Sequence, residues 1–256
     1  MTRHTVIQPG AALIVTVLVV AGATLALAAD TVEPFDAGLG NFELYGAFDG
    51  AGQPTGEQSV AGDMLLGWGL SSRFSAYLGT TMQANGYLTG SETGYALGAL
   101  GTMHDTDHLD LDLILDLRTV GGSGGVFTVS PGFELNLDRA PDLAAYGAYL
   151  RGNVSLAGEQ SPDGPRRATD LAFTVGSYLT LSGTRQLLVE VDLGMVDEFE
   201  GGHAWEYGAV ALGYNQAIAG GMELINQVTI DIPQDGESST VGFMVGVIAA
   251  VPGASR

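Results

Sequence analysis

Pairs of carboxylates two residues apart are the side chains of this sequence best placed to do chemistry. Asp110 and Asp112 form one pair, with Asp116 four residues further on, and Glu190 and Asp192 form another. In an extended strand alternate side chains point to the same face, so the members of each group share a face. Such a face attracts cations and offers the oxygen ligands that hard cations such as calcium take.

Residues of the kinds used in catalysis and metal binding lack the arrangement that either needs. The stretch Gly121 to Gly125 matches the spacing of a nucleophile elbow, but that motif needs a following helix and here a strand follows. His104, His108 and His203 have no suitably spaced serine and are too scattered for a zinc site. The stretch Asp105 to Asp110 lacks the sixth-position glycine of an EF-hand. We therefore predict that the protein is not an enzyme and holds no metal and no cofactor.

The segment around the first carboxylate pair shows which element would position such faces. Leu109 to Leu117 reads LDLDLILDL, with leucine at every odd position and aspartate at most of the even ones. As a strand it has one face suited to hydrocarbon and one suited to water. A soluble protein can use such a strand against its core. Many such strands behind an export signal are more typical of a membrane barrel.

Twelve segments alternate in this way, and most have about the length that a tilted strand needs to cross a bilayer. Links after the even-numbered segments are short, whereas most links after the odd-numbered ones are longer and rich in Gly, Pro and acids, as in outer-membrane barrels with periplasmic turns. The predicted segments are Asn41 to Phe48, Gln58 to Leu70, Arg73 to Gln83, Thr93 to Met103, His108 to Arg118, Val126 to Leu137, Leu143 to Leu156, Leu171 to Leu181, Arg185 to Val196, Trp205 to Gln216, Met222 to Ile232 and Thr240 to Ala249.

The N-terminus predicts an export signal. A short positive region at Arg3 and His4 precedes an apolar stretch, and Ala26-Leu27-Ala28 offers a small-residue cleavage site. The alternative is an uncleaved anchor. The predicted fold class is all-β, a transmembrane antiparallel β-barrel of about 12 strands after a cleaved signal peptide. The predicted parts are a signal peptide (1–28), a periplasmic lead-in (29–40), the barrel (41–250) and a C-terminal tail (251–256).

Composition narrows the possible partners. The chain has 29 acidic and nine basic residues, all nine arginine, and a net charge of −20. This charge argues against binding nucleic acid or an anionic inner-leaflet surface. The chain has no cysteine, so disulfides and thiolate chemistry are excluded.

Two units of the sequence carry a family resemblance. Leu66 to Leu78 (LGWGLSSRFSAYL) and Leu212 to Leu224 (LGYNQAIAGGMEL) resemble the strand, short turn, strand units of bacterial outer-membrane barrels. In particular, they resemble those of the transporter family named for the meta-pathway of phenol degradation. The resemblance implies an outer-membrane pore or solute-uptake role and supplies no catalytic residues. Where many such barrels end on an aromatic residue, this chain continues from Val251 to Arg256.

With the apolar faces outward, eleven acids and two arginines fall on the inner face. Either they line a hydrated pore that favours cations or neutral polar solutes, or they fill a narrow barrel by bonding to one another. We expect both arginines near the long links, either paired with Glu206 or Asp231 or forming the positive side of a constriction. The candidate lumen-lining residues are Glu43, Asp63, Asp110, Asp112, Asp116, Arg118, Glu134, Arg151, Glu190, Asp192, Glu206, Glu223 and Asp231.

Aromatic residues predict two belts at the membrane interfaces. One belt, toward the short links, comprises Trp68, Phe74, Tyr95, Phe133 and Tyr146, and the other, toward the long links, comprises Phe48, Phe127, Trp205 and Tyr207.

The sequence thus favours a pore or passive solute transporter in the outer membrane of a diderm bacterium. Its expected partners are outer-membrane lipid and small solutes or cations, without nucleic acid. The alternatives are a non-conducting structural or interaction barrel, a soluble exported β protein with these apolar faces in its core, and, less favoured, a membrane-embedded enzyme.

Overall fold

The computed structural model describes residues 40–51, 58–85, 92–106, 108–120, 126–138, 146–161, 164–182, 184–198, 202–218, 222–232 and 239–251. The predicted signal peptide and nearly all of the predicted lead-in and tail lie outside these residues. No helix within them is long and apolar enough to cross a membrane.

The described residues form twelve strands. They are β1 (Gly40–Asp49), β2 (Ser59–Ser71), β3 (Phe74–Asn85), β4 (Glu92–Thr106), β5 (Leu109–Val120), β6 (Val126–Asp138), β7 (Tyr146–Ser161), β8 (Gly164–Ser182), β9 (Arg185–Glu198), β10 (Gly202–Ile218), β11 (Met222–Ile232) and β12 (Val241–Val251).

The strands close into a barrel. Each pairs antiparallel with its neighbours in sequence, and β1 pairs with β12, from Gly40 opposite Val251 to Phe48 opposite Phe243. Closure leaves no edge strand, so every strand has a neighbour on both sides over the part of its length that the two neighbours share. The predicted all-β antiparallel barrel of about twelve strands is confirmed.

The two faces of the wall differ as the alternating sequence predicts. On β5, Leu113 and Leu115 are 45% and 42% exposed, whereas Asp112 on the same strand is buried. On β9, Val189 is 47% exposed and Glu190 only 1%. Because successive side chains point to opposite faces, the exposed aliphatic residues cover the outside and the carboxylates lie on the inside.

We call one end of the barrel the turn end, because β2 and β3, β4 and β5, and β8 and β9 are each joined there by two residues. The opposite end, which joins β1 to β2 and β3 to β4, is the loop end.

The long link predicted between the segments that end at Leu156 and begin at Leu171, with its loop at Gly158 to Arg167, is wrong. Gly158 pairs with Arg167 and Ser161 with Gly164, so β7 and β8 continue as a hairpin that leaves only 162–163 as its link. The Gly and Pro residues of this stretch indicate a loop, but the stretch belongs to the two strands. On its other side, β8 pairs with β9 only from Leu171 onward. The beginning of β8 is therefore an edge, where a proline is tolerated.

The aromatic belts are partly as expected. Trp68 and Phe74 are exposed on the outer face near the turn end. Tyr95 is also exposed, but it lies near the start of β4 and therefore at the loop end, opposite to the prediction. The side chains of Trp205 and Tyr207 lie outside the described part of the chain.

Candidate functional site

Cross-strand register places the predicted site residues on one continuous inner surface. Asp112 lies opposite Glu134, which in turn lies opposite Arg151 on β7. Asp192 on β9 lies opposite Thr174, the residue that pairs with Arg151 from the other side. Ten of the predicted acids and both arginines lie at inward-facing positions of their strands. The side chain of Glu206 lies outside the described residues.

One set of inner side chains, the Arg118 cluster, joins β2, β3 and β5. The Arg118 Nε donates a hydrogen bond to Asp116 Oδ2, and its Nη1 lies 3.7 Å from Asp63 Oδ2. The hydroxyl of Tyr77 donates to Asp116 Oδ1 over 2.6 Å. The side chains of Arg118 and Asp63 are 12% and 15% exposed, so this cluster is in contact with solvent.

A second set, the Arg151 cluster, joins β6, β7 and β9. Arg151 donates from both Nε and Nη2 to Glu134 Oε2, each over 2.6 Å. The hydroxyl of Tyr149 donates to Glu190 Oε1, and the Arg151 guanidinium carbon lies 5.6 Å from the centre of the Tyr149 ring. All four residues are at least 98% buried.

Both clusters depend on a tyrosine that lies over a glycine of the next strand. Tyr77 pairs with Gly98, where a Cβ would come within 2.1 Å of the ring. Tyr149 pairs with Gly176, where a Cβ would come within 2.0 Å of the ring. Without a side chain beneath it, each ring crosses the neighbouring strand and reaches a carboxylate on the strand beyond.

Neither arginine pairs with Asp231, one of the two predicted partners, and the side chain of the other, Glu206, lies outside the described residues. Arg118 contacts Asp116 and Asp63, and Arg151 contacts Glu134, whereas Asp231 accepts a hydrogen bond from Thr240. Arg118 lies near the loop end of β5 as expected. Arg151 is the sixth residue of β7 and therefore lies in the half nearer the turn end.

Other inner carboxylates are held by hydroxyl and amide donors on their own or adjacent strands. Thr102 donates to Asp112 over 2.7 Å, and Thr174 donates to Asp192 over 2.5 Å. Glu43 accepts from Asn41 and from Tyr45. These donors keep the carboxylates against the wall, and sequence reasoning missed them because an uncharged hydroxyl residue shows its partner only when the register is known.

Among the described side chains, three further acids lie at inward-facing positions at the loop end. Asp49 ends β1 opposite Ser59, Glu92 begins β4 opposite Gln83, and Asp170 lies opposite Ser155. The predicted first segment ended one residue short of Asp49, and the fourth and eighth began one residue after Glu92 and Asp170. A longer alternating pattern was the signal that would have included all three.

Burial of the inner side chains changes along the barrel axis. Among the described side chains, eight polar inner residues are buried, and seven of them lie in the half of their strand nearer the turn end, with Gln227 at the middle of β11. We call these eight the buried layer: Ser75, Asp112, Glu134, Asn136, Arg151, Glu190, Asn215 and Gln227. Apolar inner residues such as Leu188 and Ile225 are buried beside them.

Inner acids on either side of the buried layer are partly exposed. Asp110 and Glu223 are each the second residue of a strand that starts at the turn end. Asp63, Asp116 and Asp231 lie toward the loop end. These inner acids are therefore partly exposed toward both ends of the barrel, and those of the buried layer between them are withdrawn from solvent.

Within the described strands, no group of three or more His, Cys, Asp or Glu side chains is arranged to hold a metal ion. The chemistry that the inner wall offers there is electrostatic attraction and hydrogen bonding to a solute.

Comparison with known proteins gives the fold and no family. No protein-family model matches the chain, and no curated protein matches it. The particular transporter family that the two hairpin units resemble is therefore not confirmed.

Solved structures similar to the chain include porins and channels. The NanC porin has 9% identity and a TM-score of 0.59, over 80% of this chain and 98% of that one. The KdgM porin has 8% identity and a TM-score of 0.57, over 82% and 99%. An outer membrane channel from Pseudomonas putida F1 has 9% identity and a TM-score of 0.61, over 86% and 97%. The chain therefore has the barrel fold of outer-membrane porins and channels.

Proposed function

We propose that the protein is a passive pore of the outer membrane of a diderm bacterium, with an acidic inner wall that favours cations or neutral polar solutes. The observation that carries this proposal is the sidedness of the closed wall. Large aliphatic residues are exposed outside, and ten predicted acids face inward against two arginines. An apolar outside suits lipid, and a one-sided inner charge raises the local concentration of cations.

The soluble alternative fits this wall poorly. In a soluble barrel, exposed leucines such as Leu113, Leu115 and Leu187 would form an extended apolar surface in water. Soluble monomers rarely expose apolar patches of that extent. The proposed location is the outer membrane, where such a surface contacts acyl chains, and no catalytic activity is part of the proposal.

A non-conducting structural barrel remains the second candidate, and the buried layer favours it. Inner side chains that bond to one another can fill a barrel, as they do in the smallest membrane barrels. Conductance across a planar bilayer separates the two candidates, because a filled barrel inserts without carrying current.

The acidic wall has its own test, in the acids at the two mouths. The triple variant Asp110→Asn, Glu223→Gln and Asp231→Asn removes three inner charges without touching either arginine cluster. We expect its reversal potential under a salt gradient to show a lower cation preference than that of the parent. The difference should shrink at high salt, because the Debye length falls from about 10 Å at 0.1 M to about 3 Å at 1 M.

The matched control keeps the three negative charges and changes only the length of each side chain: Asp110→Glu, Glu223→Asp and Asp231→Glu. This variant should keep the cation preference of the parent. An unchanged reversal potential in the neutralised variant would show that these acids do not face the ion path.

The KdgM porin has been solved with an oligogalacturonate, itself a polyanion. We expect the acidic wall to disfavour such a solute here.

A further inference from the structure

The barrel has twelve strands, so its lumen is wider than the eight-stranded lumen that side chains just fill and narrower than the aqueous channels of porins with sixteen or more. In such a barrel, the size and direction of the inner side chains decide where the path is open. Toward the turn end, the side chains of the Arg151 cluster are withdrawn from solvent, whereas those of the Arg118 cluster are not.

We infer that the buried layer is the constriction of the pore and that Arg151 is the residue that holds it together. This inference rests on the proposed function and names the part of the lumen that limits passage. Arg151 donates from two nitrogens to Glu134 on β6 and stacks near Tyr149, whose hydroxyl reaches Glu190 on β9. These contacts therefore link β6, β7 and β9, and the Tyr149 ring crosses β8 between them.

Apolar side chains are also buried at the level of the buried layer. Tyr149, Tyr178 and Leu188 form a buried cluster on β7, β8 and β9, and Ile225 on β11 is fully buried. Large apolar side chains on the inner face of a water-filled pore would be exposed to solvent, but these four are at least 91% buried. The sector from β6 to β11 is therefore packed at this level.

The Arg118 cluster is a built-in control for this inference. It also combines an arginine, two acids and a tyrosine over a glycine, but it lies toward the loop end and remains partly exposed. If burial marks the barrier, breaking the Arg151 cluster widens the path and breaking the Arg118 cluster does not.

The test measures single-channel conductance of the full-length protein in planar bilayers. The double variant Arg151→Ser with Glu134→Ser removes both partners of the buried ion pair, so neither charge is left alone. We expect its conductance to rise severalfold and its size cutoff for neutral sugars in liposome swelling to increase. The matched control, Arg118→Ser with Asp116→Ser, should leave the conductance and the size cutoff close to those of the parent.

Leu188→Ala covers the case in which the charged double variant fails to insert. It removes apolar volume from the same layer without altering charge, and it too should raise the conductance and the size cutoff. If the parent conducts and both layer variants keep its conductance and cutoff, the inference is overturned while the proposed function stands. If the parent and all inserted variants carry no current, the proposed function fails together with the inference.

Discussion

At the scale of single residues, the inner wall is organised by pairs that join an aromatic ring to a glycine. Tyr149 over Gly176 and Tyr77 over Gly98 are such pairs, and each ring ends on a carboxylate one strand further. The alternating pattern places each tyrosine and glycine on the inner face, but it does not show that they are neighbours. Their pairing depends on register, which is a property of two strands and not of either sequence segment.

The pairing makes Gly176→Ala costly. A Cβ at this position would lie 2.0 Å from the ring of Tyr149, which is itself packed and hydrogen-bonded. We expect a loss of about 1 to 3 kcal/mol in unfolding free energy, as for other overpacked sites. Urea unfolding in lipid vesicles, followed by tryptophan fluorescence, measures this loss.

Gly158→Ala is the control, because the nearest heavy atom to its added Cβ would be the carbonyl oxygen of Phe127 at 3.9 Å. Combining Gly176→Ala with Tyr149→Ala should remove the clash, so that the two changes together cost less than the sum of the separate ones. Additive losses would show that the ring does not press on this glycine.

At the scale of strands, the sequence predicts most of the structure. The eleventh segment, Met222 to Ile232, has the observed bounds, and the fifth, His108 to Arg118, differs by one or two residues at each end. Alternation and turn residues are local signals, so local sequence is enough to find the strands. The clear failure is the start of β8, which lies seven residues before Leu171 because pairing with β7 continues beyond the segment that alternates.

The outer face of β5 gives a prediction for a whole strand. Leu113→Arg places a charge among exposed leucines near the middle of the strand, and we expect it to cost about 2 to 4 kcal/mol in a bilayer. Ile114→Asn changes the adjacent inward residue and should cost much less. The same unfolding measurement in vesicles compares the two.

Equal costs for the two changes would contradict the assignment of the outer face to lipid. Recovery of native parent protein in the aqueous fraction without detergent would do so as well.

At the scale of the whole molecule, closure could be predicted and the packing of the lumen could not. An even number of strands joined by alternating short and long links favours a simple up-and-down order, and the barrel has that order. The height of an inner residue along the barrel axis depends on the stagger between neighbouring strands, which accumulates around the barrel. Arg151 was therefore expected near the loop end and lies nearer the turn end.

The orientation of the barrel leads to a prediction about display on cells. With the turn end in the periplasm, an epitope inserted after Pro162, in the link of the β7 and β8 hairpin, should be reached by antibody on intact cells. One inserted after Gly183, between β8 and β9, should be reached only after the outer membrane is permeabilised. Labelling in the reverse order would show that the barrel is inserted the other way up.

The tyrosine rings that lie over glycines have a consequence for how such a wall can be altered. The circumference of the barrel is fixed by backbone pairing among twelve strands, whereas the bore depends on the inner side chains and on the glycines that leave room for them. Moving one ring and its glycine to another pair of facing positions would reshape the bore without adding a strand or shifting a register. The circumference and the bore are therefore set by different residues, and the bore can be changed while the circumference is kept.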